Sequence, residues 1–150
     1  MGLVREAIAT QLPPERAYAL WTDVRRWPTF VDGFKHAERV DEGWPGEGAK
    51  LVWRSGPDGR GTVTERVTES VAGARLVTQV FEERLSGIQT VSFEPDGEGS
   101  VVELELDYEL AKGGALSGIT DVLFIRRAQN DALRRTLRRF ATEAAEEAAL

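Results

Sequence analysis

Residues 114–150 read GALSGITDVLFIRRAQNDALRRTLRRFATEAAEEAAL, and this stretch decides the fold. At 100° per residue, one face of the corresponding helix collects apolar side chains. These are Leu116, Ile119, Leu123, Leu133, Leu137, Phe140 and Ala144. A helix of roughly 30 residues is about 45 Å long, so the rest of the chain must supply a surface that covers it.

Two polar residues, Arg126 and Asn130, interrupt this apolar face near its centre. They lie four residues apart and are therefore neighbours on the helix. We expect Arg126 to bind a carboxylate, phenolate or enolate of a ligand, with Asn130 as a second polar contact. The alternative is an internal ion pair with an inward carboxylate such as Glu65, or a side chain that extends past the core to solvent.

The composition indicates one domain, residues 1–150, because 150 residues with 41% hydrophobic side chains suffice for a core. A net charge of −6 disfavours nucleic acid as a partner. The absence of cysteine excludes disulfides and thiolate chemistry, and the single histidine argues against a histidine-rich metal site. We therefore expect neither a metal nor a cofactor.

The first residues show no apolar run, since Arg5 and Glu6 come before one can form. This pattern predicts neither a signal peptide nor a membrane-spanning segment. We accordingly expect a cytoplasmic protein.

The chain before the long helix divides into two parts. Residues 3–11 alternate like a strand and end at prolines, after which helical spacing continues to Trp27, with Asp23 as the N-cap of a second short helix. After Gly33 the period becomes two, interrupted by turns rich in Gly, Pro and Asp. The six predicted strands are 34–42, 48–55, 60–71, 74–85, 87–95 and 100–111. Short connections make them an antiparallel meander.

The alternation also predicts which side chains face the long helix. In the last strand the inward set is Val102, Leu104, Leu106, Tyr108 and Leu110. The same reasoning places four polar residues inside: His36, Glu65, Gln79 and Tyr108. It also turns Trp53 and Phe93 inward.

Residues 12–30, LPPERAYALWTDVRRWPTF, resemble the opening of the polyketide cyclase/dehydrase and lipid-transport family of the START-like superfamily. Gly48 before Trp53, Phe93-Glu94-Pro95 before a glycine-rich turn, and Gly113-Gly114 before the helix are also similar to that family. The resemblance implies the helix-grip fold of the α+β class. In it, a curved seven-stranded antiparallel sheet wraps around a long C-terminal helix, two short helices follow the first strand, and a cavity lies between sheet and helix.

The resemblance also implies a function: binding of a small, mainly hydrophobic ligand, such as a lipid, a polyketide-like compound or an aromatic compound, in that cavity. The predicted ligand contacts are Trp53, Gln79, Phe93, Tyr108, Leu123, Arg126 and Asn130.

A first alternative is a metal-free aromatase/cyclase or dehydratase, a lyase acting on a polyketide-like substrate. It would use His36 or Glu65 as the base, Tyr108 as the acid, and Arg126 to stabilise an enolate.

A second alternative is a ubiquinone-binding or ribosome-associating module, because residues 23–30 are similar to that branch, with Trp27 where the branch has Tyr. Five arginines flank the helix and form either a binding surface or a solvated face. They are Arg127, Arg134, Arg135, Arg138 and Arg139. Phe124 and Ile125 lie outside the apolar arc and predict another covered surface, for which a homodimer is one candidate.

Overall fold

The computed structural model describes residues 2–56, 59–111 and 119–150; for residues 119–121 it describes the backbone alone. The strands are β1 (Gly2–Thr10), β2 (Phe34–Val40), β3 (Lys50–Ser55), β4 (Thr62–Val71), β5 (Arg75–Phe81), β6 (Leu85–Asp96) and β7 (Gly99–Leu110). The helices are α1 (Pro14–Thr22), α2 (Trp27–Phe30) and α3 (Ile119–Ala148), and a 3₁₀ turn (Val24–Arg26) joins α1 to α2.

All seven strands form one antiparallel sheet in the order β1-β7-β6-β5-β4-β3-β2. The six later strands follow one another as a meander, and β1 joins the free edge of β7. The predicted antiparallel sheet, with two short helices after the first strand and one long helix at the end, is confirmed. The seven-stranded sheet presents one broad inner face toward α3.

The two short helices begin and end where the local chemistry predicts. Pro14 occupies the start of α1, where its missing N–H costs no helical hydrogen bond. The Asp23 side chain accepts a hydrogen bond from the backbone N–H of Arg25 at 3.3 Å and so caps the 3₁₀ turn. Together they position Trp21, Trp27 and Phe30 against the inner side of the fold.

The C-terminal half of α3 packs against these short helices. The ring of Phe140 is completely buried, with its centroid 5.1 Å from the rings of both Trp21 and Phe30. Leu137 and Ala144 are buried on the same face, as the helical spacing predicts. Residues 114–118, including Leu116 of the predicted apolar face, lie outside the described residues.

The N-terminal half of α3 departs from the predicted face. Leu123 is 58% exposed, and the inward prediction for it was wrong because the first turns of α3 lie beside β1 and not over the middle of the sheet: Leu123 faces a groove that Leu3 borders. Of the two residues predicted to meet another surface, Ile125 is buried and Phe124 is 67% exposed. The buried arc is therefore rotated from the one that the apolar residues alone suggest.

Candidate functional site

A buried carboxyl group lies on the inner face of the sheet. Glu65 on β4 is only 4% exposed. Trp53 Nε1 donates a hydrogen bond to its Oε2 at 2.9 Å, and Thr78 Oγ1 donates to its Oε1 at 3.1 Å. Burial raises the pKa of Glu65, against the opposing influence of the Trp53 hydrogen bond and of the positive charge of Arg60. The result is a carboxyl group held in place by two donors and biased toward its protonated form.

Arg60 lies next to this carboxyl group, in the turn between β3 and β4. Its guanidinium carbon is 5.2 Å from the ring centroid of Trp53, a cation–π geometry. Its Nε donates to a carboxylate oxygen of Glu82, whose side chain is almost fully buried in the β5–β6 connection. Trp53 and Glu82 therefore hold the Arg60 side chain between them.

A small enclosed cavity of about 30 Å³ lies between the sheet and α3. Its lining combines polar groups with large apolar walls. The lining residues are Trp21, Trp27, Val31, Asp32, Trp53, Arg60, Glu65, Gln89, Leu104, Leu106, Gln129, Ala132, Leu133 and Thr136. This volume is about that of one water molecule in the liquid. The interface between the sheet and α3 thus contains a small cavity in which polar groups are surrounded by aromatic and aliphatic side chains.

An outer pocket of about 180 Å³ adjoins the cavity. The two share Asp32, Arg60, Gln129 and Ala132 as lining residues. The outer pocket is otherwise lined by Gly33, Ser55, Gly59, Glu82, Arg84, Ala128 and Arg135. The four shared residues form the boundary between the inner cavity and the outer pocket.

Asp32 fastens α3 at this boundary. Its carboxylate accepts hydrogen bonds from Arg135 at 2.9 and 3.0 Å and from Arg139 at 3.2 Å, and its backbone N–H donates to Thr136 Oγ1 at 3.0 Å. Burial acts to raise the pKa of Asp32, but the hydrogen bonds and charges of Arg135 and Arg139 outweigh it, so that the pKa is lowered. This contact is a charged clamp between the loop after α2 and the middle of α3.

The predicted arginine flank of α3 is thus largely occupied with internal ion pairs. Arg135 and Arg139 bind Asp32, and Arg134 donates to Glu6 Oε1 at 2.8 Å. These three arginine side chains are about half exposed, and a binding role for the flank stays a prediction.

Four residues predicted to face inward do so: Glu65, Trp53, Phe93 and Tyr108 are buried. Trp53 and Glu65 line the cavity, whereas Phe93 packs against Tyr18 with ring centroids 5.6 Å apart. Their roles toward a ligand stay predictions.

Tyr108 occupies the space above a glycine. A Cβ at Gly2 would lie 2.4 Å from the Tyr108 ring, so β1 carries glycine opposite this side chain. Burial raises the pKa of Tyr108, and the nearby positive charge of Arg126 opposes that shift. Tyr108 therefore packs against the start of β1 and does not line the small cavity.

The inward prediction for His36 was wrong. Its side chain is 58% exposed on the edge strand β2, with Nε2 4.0 Å from Glu38. The pairing of β2 with β3 shifts register between Phe34 and His36, and again between Ala37 and Arg39. Each irregularity changes which side chains face the core. His36 therefore cannot join an acid–base set with Glu65 in this structure.

The inward prediction for Gln79 was also wrong. Gln79 is exposed, and the buried set of β5 is Leu76, Thr78 and Val80. The pairing explains the reversal, because Val80 lies opposite the inward Glu65. Residues directly opposite each other in an antiparallel pair share a face. Thr78, and not Gln79, is thereby brought to the carboxyl group.

Leu123, Arg126 and Asn130 do not reach the cavity. They line a separate open groove of about 700 Å³ between β1 and α3. Asn130 Nδ2 donates to Glu6 Oε1 at 3.1 Å, so the carboxylate that Asn130 contacts is Glu6 and not Glu65. The Arg126 side chain is exposed, which fits the alternative of a side chain that extends to solvent.

Five polar residues that the sequence reasoning missed line the cavity: Asp32, Arg60, Gln89, Gln129 and Thr136. Gln129 and Thr136 lie four and three residues from Leu133, so the helical spacing contained a signal for them. Arg60 stands in a glycine-rich turn, and its sequence context contains no comparable signal.

Within residues 2–56, 59–111 and 119–150, no group of three His, Asp or Glu side chains is placed to hold a metal ion. In the same described part of the chain, no helix combines the length and hydropathy needed to cross a membrane.

Solved structures share this architecture. The Zhui aromatase/cyclase from Streptomyces sp. R1128 aligns with a TM-score of 0.79 at 15% identity, covering 95% of this chain and 93% of that one. The di-domain ARO/CYC StfQ from the steffimycin biosynthetic pathway gives a TM-score of 0.79 at 16% identity, over 99% of this chain and 52% of that one. A START superfamily protein from Mycobacterium smegmatis gives 0.75 at 12% identity, over 95% and 96%. At these identities the similarity establishes the fold alone.

No curated protein matches the sequence at a significant level. The family model described as polyketide cyclase/dehydrase and lipid transport, in contrast, matches residues 1–145. Together with the helix-grip architecture, this match over nearly the whole chain shows that the protein belongs to the polyketide cyclase/dehydrase and lipid transport family.

Proposed function

We propose that the protein binds a small, mainly hydrophobic molecule between the sheet and α3, with a hydrogen-bonding group of that molecule placed at Glu65. The observation that carries this proposal is the fully enclosed Glu65 carboxyl group at the wall of a cavity whose other walls are aromatic and aliphatic. Binding sites for small molecules combine mostly apolar walls with a few fixed polar groups. The family membership supports the same function.

The chemistry of the lining narrows the ligand class. Trp21, Trp27 and Trp53 present ring surfaces, which suit a planar aromatic or polyene body. Burial raises the pKa of Glu65 and so favours its protonated form, whose O–H can donate to a carbonyl or hydroxyl oxygen of a ligand. Gln89 and Gln129 offer additional amide contacts. We accordingly infer an uncharged ligand with at least one oxygen acceptor.

The cavity must widen to admit such a ligand, because about 30 Å³ holds only one water molecule. The side chain suited to open it is Arg60, which lies over Trp53 at the boundary with the outer pocket. An aromatic ligand that displaces the guanidinium from the Trp53 ring would replace one ring contact with another. Entry then needs no rearrangement of the sheet.

Binding is tested with 2-naphthol as the probe, an aromatic hydroxyl compound, by following tryptophan fluorescence. Ala132→Phe fills the boundary between cavity and outer pocket, and Ala145→Phe is the matched control, since Ala145 lies on α3 outside both. We expect saturable binding to the wild type, a loss of at least about tenfold in affinity for A132F, equivalent to about 1.4 kcal/mol, and no change for A145F. Equal binding by all three proteins would refute the site.

Native mass spectrometry of the freshly purified protein identifies the natural ligand class directly. A retained small molecule in the wild type that is absent from A132F supports the proposal. Its retention by A132F at the same occupancy contradicts it, because the molecule would then sit elsewhere.

A second candidate is catalysis at the same position, with Glu65 as a general acid in a dehydration. The raised pKa of this buried carboxyl group favours it, since a general acid must hold its proton at the working pH. Glu65→Gln keeps the hydrogen-bonding shape but transfers no proton. If the protein is a dehydratase, molecules retained by the wild type and by E65Q differ by one water; if it only binds, they are the same compound.

A further inference from the structure

The outer edge of β1 is a surface that the proposed ligand site does not use. β1 and β2 are the two edge strands of the sheet. β1 pairs with β7 without interruption from Gly2↔Tyr108 to Thr10↔Ser100, whereas the pairing of β2 contains two register shifts. A regular edge strand presents a row of backbone N–H and C=O groups to another strand, and irregularities disrupt such a row. Of the two edges, β1 is therefore the one suited to accept a further strand.

A groove runs beside this edge. It has a volume of about 700 Å³ and is bordered by Leu3, Val4 and Arg5 on β1 and by the first turns of α3. On the helix side Leu123 and Phe124 are 58% and 67% exposed. A strand added to β1 would lie about 4.8 Å from it and turn every second side chain toward α3. The groove thus offers apolar contacts to a chain that the β1 edge would hold in an extended conformation.

The charge of the groove indicates the chemistry of that chain. Arg126 and Arg127 line the groove beside the exposed Leu123 and Phe124. Two adjacent guanidinium groups favour carboxylates on whatever occupies this place. The complementary strand therefore carries acidic residues next to apolar ones.

A second copy of the same chain fits this surface poorly. In a two-fold antiparallel pairing of two β1 strands centred on Glu6, the residues opposite Leu3, Val4 and Arg5 would be Ala9, Ile8 and Ala7 of the second copy. None of these three offers a carboxylate to Arg126 or Arg127. The arrangement of charge thus favours a different, acidic partner.

We propose that the β1 edge and its groove bind an extended segment of another protein, in which acidic and apolar residues adjoin. The segment adds an antiparallel or parallel strand to β1, places apolar side chains against Leu123 and Phe124, and places carboxylates at Arg126 and Arg127. Backbone hydrogen bonds give the affinity and the groove gives the selectivity, as in other cases of strand addition.

The probe is the end-blocked peptide Val-Ser-Glu-Ser-Val-Ser-Glu-Ser, which presents Val and Glu on one face of a strand and only Ser on the other. Its binding is measured by fluorescence anisotropy at low salt. Two further peptides are N-methylated on alternate amides, one on each set. A strand ladder uses only one set, so we expect one methylated peptide to lose binding and the other to keep it. A peptide with Lys in place of Glu should not bind.

Two protein variants complete the test. Arg126→Glu with Arg127→Glu should weaken binding of the peptide at least tenfold. Lys50→Glu with Arg66→Glu is the matched control: these exposed residues lie opposite each other on β3 and β4, and the change in net charge is the same. Circular dichroism verifies that both variants are folded.

Four results would overturn the proposal. They are the absence of saturable binding, equal effects of the two methylated peptides, equal losses in the two variant pairs, and a concentration-dependent dimer of the protein that the peptide dissociates. The last would assign the edge to a second copy. Because the groove does not share lining residues with the Glu65 cavity, none of these results depends on the proposed ligand function.

Discussion

Replacing Glu65 with Gln is expected to make the protein more stable at pH 8 than the wild type, and no more stable at pH 4. The reason is the burial of the carboxyl group, which raises its pKa in the folded protein. A protonated carboxyl group and a primary amide have nearly the same shape. In both, one oxygen can accept from Trp53 Nε1. At the other position the Thr78 hydroxyl, which donates to the carboxylate, can instead accept from the carboxylic O–H or the amide N–H.

The magnitude follows from proton linkage. In the unfolded chain a glutamate titrates at a pKa of about 4.3. Above that pH the unfolded state has lost the proton that folded Glu65 retains, so the free energy of unfolding falls by about 1.4 kcal/mol per pH unit. The fall stops at the raised pKa of the folded carboxyl group. E65Q lacks this titration, so its advantage over the wild type grows at that rate across the same interval.

The assay is urea denaturation of both proteins at half-unit steps from pH 4 to pH 8. All other titrating groups are common to the two proteins, so the difference between their free energies of unfolding isolates Glu65. Glu65→Leu serves as a second variant, because it shares the absence of titration but leaves the Trp53 N–H without an acceptor. It should be less stable than E65Q by about 1–3 kcal/mol at every pH.

A constant difference between wild type and E65Q across this range would refute the reasoning, since it would mean that Glu65 ionises in the folded protein as easily as in the unfolded chain. A difference that grows in favour of the wild type would refute it more strongly. In that case Arg60 would stabilise the carboxylate by more than burial penalises it.

Three further outcomes concern the frame of the site, each measured by urea denaturation. Asp32→Asn should lower the free energy of unfolding by about 1–2 kcal/mol at pH 7, because Arg135 loses its charged acceptor. Since the pKa of Asp32 is lowered, this loss should shrink as the pH falls below the ordinary value of 3.8, and a loss that stays constant below that pH would contradict it. Phe140→Ala should cost about 3–5 kcal/mol, because it empties a fully buried ring position beside Trp21, and a cost below 1 kcal/mol would be inconsistent with that packing. His36→Ala should change stability by less than about 0.5 kcal/mol and leave probe binding intact, whereas a loss of binding would place His36 in the site after all.

Much of the fold was predictable because its signals are local. Turn residues and strict alternation mark each strand, and the charged outer face of β7 opposes an apolar inner one. The cap at Asp23 was predictable because aspartate is itself a preferred N-cap residue. These features depend on neighbours within a few positions, so the sequence alone specifies them.

The inner faces of β2 and β5 were not predictable in the same way. In β5 both faces are of similar polarity, since Leu76, Thr78 and Val80 alternate with Val77, Gln79 and Phe81. Only the pairing with Glu65 on β4 decides between them. In β2 the irregular pairing reverses the phase within the strand. Register depends on both paired strands, so the sequence of one strand alone does not determine which of its faces is buried.

The position of α3 explains why the candidate site lies at Glu65 and not at Arg126 and Asn130. Arg126 and Ala144 are 18 residues apart, which is about five turns, so they have the same angle on the helix. Ala144 is buried and Arg126 is exposed, because the C-terminal half of α3 lies under α1 and α2 while its first turns lie beside the edge of β1. Angle alone therefore does not determine burial; the element that covers each turn does. At the level of the cavity that cover is the sheet around Glu65, so Gln129 and Thr136, and not Arg126, are the α3 polar groups that a ligand there would meet.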